Sequence, residues 1–312
     1  MPNRTELNRL WDEFKRTYNK TYLGNHEERR RVAWEENIKR IIEHNVEASK
    51  GVHSFLIDVN HLSDLNSRTY LQRIVKLTQS TRRKLDNPEV VGDFYERHHH
   101  LPQEFDWRKE GFETPVYNQK DCGSCYAFSV ALILEAQLFK QTQKLVPLSS
   151  QQLVDCSTQT GNYGCGGGSL RNTMRYLDKS GGLMTYKDYP YIAKQTNCQF
   201  NKDRALVNIS SWAILPAKNE RAMEIAITKI GPIAASINAS PHTFQLYHSG
   251  IYDDPFCSSH TVNHAMVIVG YTKDAWILKN WWGSHWGENG YMRLRRGVNR
   301  CGVSNYVAYA LI

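Results

Sequence analysis

The sequence predicts an α+β fold with two packed halves, because helical patterns dominate the chain up to residue 230 and strand-like patterns follow. Apolar residues recur at helical spacing in most of the first part, whereas short apolar runs dominate from residue 233 onward. Helices followed by strands are typical of α+β proteins. The chain has 312 residues, 41% of them hydrophobic, which provides a sizeable core and excludes natively disordered and low-complexity classes.

The first hundred residues form a mainly helical part that contains no cysteine. Gly51 ends the longest amphipathic pattern, and after residue 78 periodicity gives way to Pro, Gly, charged residues and three successive histidines. We interpret 78–101 as an extended connector and a zone of cleavage. The elements predicted in this part are helices at 7–14, 27–48 and 67–75, and a short strand at 55–60.

The remainder of the chain begins with a strongly apolar helix and ends in successive strands. The pattern predicts helices at 125–144, 149–155, 168–180 and 220–230. It predicts strands at 233–238, 264–271, 275–280, 290–295 and 306–311.

Charge and hydropathy exclude two classes of partner. The 39 Lys and Arg exceed the 31 Asp and Glu by eight, but the excess is spread over both parts, so we expect solvated helix faces and no nucleic-acid partner. No apolar run approaches the roughly 20 residues that a membrane span needs. We therefore expect a soluble globular protein without a membrane span.

Cysteine is more informative, because the chain has seven and all lie at or beyond residue 122. An odd number leaves one thiol unexplained: either it is incidental, or three bridges stabilise a secreted fold and the seventh cysteine is reactive. Three disulfides are unusual in a cytosolic protein. The N-terminus shows no apolar stretch, so we expect that the native signal peptide is missing from this sequence.

Cys125 is the candidate nucleophile, because it begins the strongest helix. The positive end of the helix dipole and the unpaired N–H groups there favour a thiolate. A redox Cys-x-x-Cys pair and half of a zinc site are the alternatives, but a zinc site needs a second closely spaced pair, and the chain shows none. We expect neither a metal nor a cofactor.

The segment Cys-Gly-Ser-Cys-Tyr at 122–126 resembles the signature of the papain and cathepsin cysteine proteases. His264 lies 139 residues after Cys125 and Asn280 lies 155 residues after it, close to the spacing of that family. The resemblance implies a papain-like fold, in which a helical half and a β-barrel-like half enclose an active-site cleft. A mainly helical inhibitory prodomain would precede them.

The resemblance also implies a role for each active-site residue. Cys125 attacks the peptide carbonyl, and His264 pairs with the thiolate and later protonates the leaving amine. Asn280 orients the imidazole and Trp282 shields that hydrogen bond from water. The side chain of Gln119, with the backbone N–H of Cys125, stabilises the oxyanion. Trp281, where the family usually has Ser, is expected to add bulk near the rim of the active site.

The similarity extends through the first hundred residues and implies two domains, an inhibitory propeptide at 1–100 and a peptidase domain at 101–312. The tail of the propeptide would run through the cleft in the non-productive direction. The usual leading Glu of the first propeptide motif is replaced by His26, and the Gly and Phe of the second are replaced by Asp58 and Leu62. The positions that match the two motifs are Arg30, Trp34, Asn37, Ile41 and Asn45, and then Asn60 and Asp64.

The family resemblance further implies three disulfides and a substrate cleft. The disulfides are Cys122–Cys165, Cys156–Cys198 and Cys257–Cys301, although counting alone allows 15 pairings of six cysteines. Small walls and a tyrosine floor predict that Leu or Val is preferred to Arg two residues before the scissile bond. The substrate-binding residues are Gly167, Gly168, Ser169, Leu170, Ser236, Val262, Asn263, Ala265, Trp282 and Tyr306.

The sequence therefore predicts the zymogen of a cathepsin L-like cysteine endopeptidase that acid activates. We expect a lysosomal or secreted monomer whose partners are protein and peptide substrates, its own propeptide and cystatin-type inhibitors. Two alternatives are a catalytically silent relative that acts as a binding protein, and a ligase or transpeptidase that uses the same thioester.

Overall fold

The N-terminal part of the chain folds into three helices and a short strand. The computed structural model describes residues 2–78 and 100–312, so most of the predicted connector at 78–101 lies outside the described residues. Helix α1 spans Arg4–Thr17, and the side chain of Asn3 caps it by accepting from the Glu6 N–H at 3.0 Å. Helix α2 spans His26–Ser49, β1 spans Phe55–Ile57 and α3 spans Ser67–Arg73.

A small aromatic cluster, separate from the main core, joins α1 to α2. Trp11 and Phe14 are buried against Trp34, with ring centroids 5.4 and 6.0 Å apart. Ile38 completes this small core. The amphipathic spacing seen in the sequence therefore places the apolar faces of both helices against each other.

The C-terminal part has helices packed on a large sheet, which confirms the predicted α+β class. Helix α4 spans Cys125–Thr142 and packs against α5, α6 and the sheet. It is buried along nearly its whole length, because it forms the centre of the helical half. The other helices are α5 at Ser150–Cys156, α6 at Leu170–Ser180, α7 at Glu220–Lys229 and α8 at His242–Gln245.

The strands after β1 are β2 at Phe105–Asp106, β3 at Leu183–Met184, β4 at Ala205–Val207, β5 at Ser211–Ile214, β6 at Ile233–Ile237, β7 at Tyr247–Tyr252, β8 at His264–Tyr271, β9 at Ala275–Lys279, β10 at Tyr291–Arg295 and β11 at Val307–Leu311. Among the described residues, the main sheet contains nine strands in the order β1-β7-β10-β9-β8-β6-β11-β5, with β2 paired to β8. Neighbours are antiparallel except β10 and β7. Two further strands, β3 and β4, pair with each other.

The long predicted elements agree with the structure, whereas β7 was not predicted. Its sequence has no apolar run, and only its two end residues, Tyr247 and Tyr252, are buried. The strand forms because β1 of the N-terminal part and β10 pair with it from either side. A pairing partner from a distant part of the chain thus determines β7, and local periodicity does not reveal it.

Three disulfides join the cysteines in the pairs that the family resemblance implies, Cys122–Cys165, Cys156–Cys198 and Cys257–Cys301. Cys125 is the free cysteine and is buried. No helix in the described part of the chain is long and apolar enough to cross a membrane.

The N-terminal part docks on the C-terminal part through backbone pairing. Strand β1 extends the main sheet by pairing with β7, with Phe55 opposite Gly250. Gly250 has a φ of +94°, and a Cβ there would lie 2.7 Å from the Phe55 Cα, so only glycine allows this approach.

The side-chain amides of Asn60 and Gln245 also join the N-terminal part to the C-terminal part beside β1. The Asn60 Nδ2 donates to the Gln245 carbonyl at 3.0 Å, and the Gln245 Nε2 donates to the carbonyls of Leu62 and Leu65 at 2.8 and 2.9 Å. Both side chains are buried, so each amide replaces water at backbone groups that would otherwise be unsatisfied.

We expect Asn60→Ala to destabilise the intact chain by about 1–3 kcal/mol, because it leaves the Gln245 carbonyl and the Leu62 N–H buried without partners. Urea unfolding measures the change. Asn25→Ala is the matched control, because Asn25 is exposed and its side chain caps no backbone group. Equal stability of the two variants would show that the hydrogen bonds of the Asn60 side chain contribute nothing to the free energy of unfolding.

Candidate active site

Cys125 lies at the N-terminal end of α4 with its thiol fully buried. Burial raises the pKa of this thiol to about 12, and the backbone N–H groups of Ala265, Tyr126 and Cys125 itself only partly oppose that rise. The N–H of Ala265 is informative, because Ala265 follows His264 in the chain. The sulfur of Cys125 therefore lies against the peptide that carries His264.

His264 is the first residue of β8, and its ring is oriented by Asn280, which follows β9. Its Nε2 lies 2.8 Å from the Asn280 Oδ1, which also accepts from the Trp281 N–H at 2.8 Å. Because an amide oxygen only accepts, the proton of the neutral ring is on Nε2. The Nδ1 is buried without a hydrogen-bond partner and is left as the basic nitrogen.

Burial lowers the pKa of His264 to about 4, although the hydrogen bond to Asn280 raises it. The same burial raises the pKa of Cys125. At neutral pH both groups are therefore uncharged in this state. A thiol and a neutral imidazole are chemically dormant in comparison with a thiolate and an imidazolium.

Aromatic rings enclose the His264–Asn280 hydrogen bond. Trp282 is fully buried, and its ring centroid lies 4.9 Å from that of His264. Tyr70 of the N-terminal part covers Trp282 edge-on at 5.8 Å and donates from its hydroxyl to the Ala239 carbonyl at 2.6 Å. Water is thus excluded from the bond that orients the imidazole.

Trp281 does not lie at the rim, which corrects the expectation from the sequence. It is fully buried, stacks on Phe128 at 5.5 Å and donates from Nε1 to the Ala265 carbonyl at 3.0 Å. Neighbouring residues here lie on opposite sides of the backbone, so Trp282 contacts His264 while Trp281 fills the core between α4 and β8.

The residue before Asn280 is a buried lysine that fixes the end of β9. The Lys279 Nζ donates to the Thr114 carbonyl at 2.7 Å and to its hydroxyl at 2.5 Å. Burial lowers the pKa of Lys279 to about 8, and the charge of Glu135 opposes this shift. Burial also raises the pKa of Glu135 to about 7. The two hydrogen bonds to Thr114 anchor the end of the strand that precedes Asn280.

Gln119 is fully buried, and its amide already binds two carbonyls. The Nε2 donates to the Cys122 carbonyl at 2.8 Å and to the carbonyl of Ile74, in the N-terminal part, at 3.1 Å. The donor that the sequence assigns to the oxyanion is therefore used by the N-terminal part.

Tyr191 positions the Gln119 loop and was missed by sequence reasoning. Its hydroxyl donates to the Gln119 carbonyl at 2.7 Å and lies 2.6 Å from the Ser124 hydroxyl. A tyrosine in an irregular segment far from both residues carries no sequence signal that could have indicated this contact.

The N-terminal part runs between two walls of the predicted cleft. The Leu77 N–H donates to the Asn263 carbonyl at 2.9 Å, and the Thr78 N–H donates to the Gly168 carbonyl at 2.8 Å. Leu77 forms a parallel bridge with Gly168. Gly167 has a φ of +114°, and a Cβ there would collide with the Lys76 carbonyl, so glycine is required where this segment passes.

The other predicted substrate-binding residues lie on β6, β8 and α6 or directly beside these elements and β11. Ser236 lies opposite Ala265 across β6 and β8, and its N–H donates to the Tyr306 carbonyl at 2.9 Å. Ser169 caps α6, and the first residue of that helix is the buried Leu170. Val262 lies farther along, beside Gly302.

Groups of three or more possible metal ligands are absent from residues 2–78 and 100–312.

Comparisons with known proteins match both parts of the chain. Residues 101–311 match the papain family of cysteine proteases, and residues 11–70 match the cathepsin propeptide inhibitor domain. Cathepsin K of Mus musculus is 40% identical over 309 residues, which cover 97% of this chain and 93% of that protein. Cathepsin S of Bos taurus is 40% identical over 310 residues, 97% of this chain and 92% of that protein.

Solved structures agree with these sequence relatives. Digestive procathepsin L 3 from the larval midgut of Tenebrio molitor superposes with a TM-score of 0.87 at 32% identity, covering 98% of this chain and 99% of that one. Because the inhibitor domain is part of the same chain, the N-terminal part is an intramolecular inhibitor of the protease that follows it. The chain belongs to the papain family of cysteine proteases and is a proenzyme of the cathepsin L type.

Proposed function

We propose that Cys125, His264, Asn280 and Gln119 form the catalytic group and that the activated enzyme cleaves peptide bonds within proteins. The observation that supports this most strongly is the free thiol at the start of α4, which lies against the His264–Ala265 peptide. Asn280 accepts a hydrogen bond from the Nε2–H of His264, so the basic nitrogen of the ring is Nδ1, which has no hydrogen-bond partner.

The chemistry follows from these positions. The Cys125 sulfur, deprotonated by His264, attacks the carbonyl carbon, and the carbonyl electrons move to the oxygen. The Gln119 amide and the Cys125 N–H donate to that oxyanion. As the C–N bond breaks, the imidazolium gives its proton to the leaving amine, and a thioester remains. Water, deprotonated by His264, then hydrolyses the thioester and regenerates the thiol.

The propeptide at 1–100 would keep the peptidase domain at 101–312 inactive in two ways. It lies in the cleft in the non-productive direction, and its Ile74 carbonyl accepts from the Gln119 amide. It also buries the Cys125–His264 pair, which favours the uncharged forms. Removal of the propeptide lets water reach Cys125 and His264. Solvation then favours their charged forms, the thiolate and the imidazolium.

Two kinds of titratable group support release by acid. Glu27 takes up a proton below about pH 4.5, and buried histidines would take one up below pH 6.5 once they are exposed. Hydrogen bonds from Lys15 at 2.6 Å and Trp11 at 3.1 Å lower the pKa of Glu27, so this stabilisation of the α1–α2 pair is lost below about pH 4.5. Burial lowers the pKa of His61 to about 3, helped by the nearby charges of Lys20 and His285. Burial likewise lowers the pKa of His44 in the propeptide and of His242, which belongs to the peptidase domain and is affected by the nearby charges of Arg40 and His44.

The enzyme is expected to act in a lysosomal or secreted compartment, where the three disulfides are stable. The Tenebrio molitor relative is described as digestive, which is compatible with secretion. We further propose that the protein is a monomer, that its partners are protein and peptide substrates, and that cystatin-type inhibitors bind the opened cleft.

Cys125→Ala should abolish self-cleavage near residue 100, because it removes the nucleophile that carries out the reaction. Purified wild-type chain and variant are incubated separately at about pH 4–5, where Asp and Glu begin to titrate, and the products are followed by mass spectrometry. Processing of the variant at the wild-type rate without added protease would contradict autocatalysis.

An epoxide such as E-64 should label Cys125 in the processed wild type, and absence of the adduct would favour a catalytically silent protein.

Gln119→Ala should lower the kcat of the processed enzyme by about 10²–10³-fold with little change in KM, because one oxyanion donor is lost. A fluorogenic peptide assay on the mature form measures both constants. Gln159→Ala is the matched control, because Gln159 is exposed in a short helical turn. An unchanged kcat would remove Gln119 from the catalytic group.

The histidines predict that propeptide release begins as the pH falls below 6.5. A histidine whose pKa is lowered by burial stays neutral in the docked state, while the released propeptide takes up the proton, so docking weakens from pH 6.5 downward. His61→Gln should therefore require a lower pH for half-maximal processing. His260→Gln, at an exposed position, is the control. Identical pH midpoints for wild type and His61→Gln would contradict a role for His61.

A further inference from the structure

Four asparagines lie in the tripeptide Asn-x-Ser or Asn-x-Thr without proline in the middle, which is the acceptor pattern for N-linked glycans. A glycan is a bulky polar group, so it needs an amide nitrogen that is free and an attachment point at the surface of the folded chain. Burial and hydrogen bonding therefore decide which positions the fold allows. The four asparagines are Asn3, Asn19, Asn208 and Asn238.

The fold excludes a glycan at Asn238. This residue is only 4% exposed, and its Nδ2 donates to the Ser258 carbonyl at 3.2 Å. Its Oδ1 accepts from the Ser240 N–H at 2.8 Å, so both ends of the amide are used. A sugar on this nitrogen would break the bond to Ser258 and would need space that a packed interior does not have.

Asn19 differs from Asn238 in both respects. It is exposed in the turn between α1 and α2, and its side chain makes no hydrogen bond within the described part of the chain. The exposed Asn3, in contrast, caps α1 with its side chain. The φ of Asn19 is +49°, a left-handed conformation that asparagine adopts more readily than most residues.

The hydroxyl residue of the same tripeptide, Thr21, is accessible as well. Thr21 is exposed and borders a cavity of about 350 Å³ between the propeptide and the peptidase domain. Lys20, between the two, donates to the His61 carbonyl at 2.7 Å and to the Asp64 carboxylate at 3.1 Å. Lys20 thus fixes the turn, while the two residues that the acceptor pattern requires remain exposed.

A structural interpretation of Asn19 alone is that it serves only as a turn residue, because asparagine is common at positive φ. This interpretation does not account for Thr21, whose hydroxyl makes no hydrogen bond among the described residues. The neighbouring Tyr18 contacts His285 of the peptidase domain edge-on, with ring centroids 5.3 Å apart. A glycan on the exposed Asn19 would begin beside this contact and leave it intact.

We propose that Asn19 carries an N-linked glycan, which the propeptide takes with it when it is removed. The inference rests on the proposed lysosomal or secreted compartment and is independent of the proposed catalytic group. The donor is an oligosaccharide on a lipid pyrophosphate. The Asn19 Nδ2 bonds to the anomeric carbon of the sugar, and the bond from that carbon to the pyrophosphate oxygen breaks. The lipid pyrophosphate leaves with the electron pair, and the nitrogen gives one proton to a base of the transferase.

The test expresses the complete chain with Cys125→Ala behind an added secretory signal peptide in mammalian cells, so that no self-cleavage removes the propeptide. Peptide N-glycosidase converts each glycosylated asparagine to aspartate, which mass spectrometry of the peptides detects position by position. We expect complete or nearly complete conversion at Asn19 and none at Asn238. An unmodified Asn19 overturns the proposal, whatever is found at Asn3 and Asn208.

Thr21→Ala should abolish the conversion at Asn19, whereas Thr21→Ser should keep it, because the acceptor pattern needs the hydroxyl and not the methyl group. Asn25→Gln is the matched control, since Asn25 is an exposed asparagine of the same part outside any such tripeptide, and it should change nothing. Conversion that persists in Thr21→Ala, or that occurs without the glycosidase, would be spontaneous deamidation and would overturn the proposal. Peptide hydrolysis by the processed wild type tests the protease activity separately.

Discussion

The structure depends on backbone hydrogen bonds by which the propeptide fills the cleft of its own peptidase domain. The N–H groups of Leu77 and Thr78 donate to the two walls, and the Ile74 carbonyl accepts from Gln119. On the propeptide side these bonds use only main-chain atoms. They therefore depend on the backbone conformation of the segment more than on its side chains. Glycine at 167 on the cleft wall allows the close approach that they need.

Burial in the intact chain also sets the charge state of Cys125 and His264. With water excluded, the pKa of Cys125 rises and that of His264 falls, so the pair is neutral at pH 7. The orienting bond to Asn280 is complete in this state, because it serves the neutral ring as well as the charged one. Under the proposed function, the proenzyme contains the catalytic group already assembled but uncharged, and activation would uncover it without rearranging it.

The sequence predicted the long elements and the motif residues, because both have strong local signals. The apolar face of α4 and the buried run of β8 are visible in single windows, and short flanking patterns mark Cys125, His264 and Asn280. The features that were missed depend on distant partners. Strand β7 forms between β1 and β10, and Trp281 turns into the core behind Trp282.

The protonation state of His264 in the intact proenzyme tests the central claim most directly. Imidazole ¹⁵N chemical shifts at pH 7 distinguish a neutral ring with its proton on Nε2 from an imidazolium with protons on both nitrogens, and a His264→Ala variant assigns the signal among the 12 histidines. If the propeptide keeps Cys125 and His264 uncharged, His264 is neutral in the proenzyme and becomes protonated once the propeptide is removed. An imidazolium signal from His264 in the uncleaved chain would contradict this.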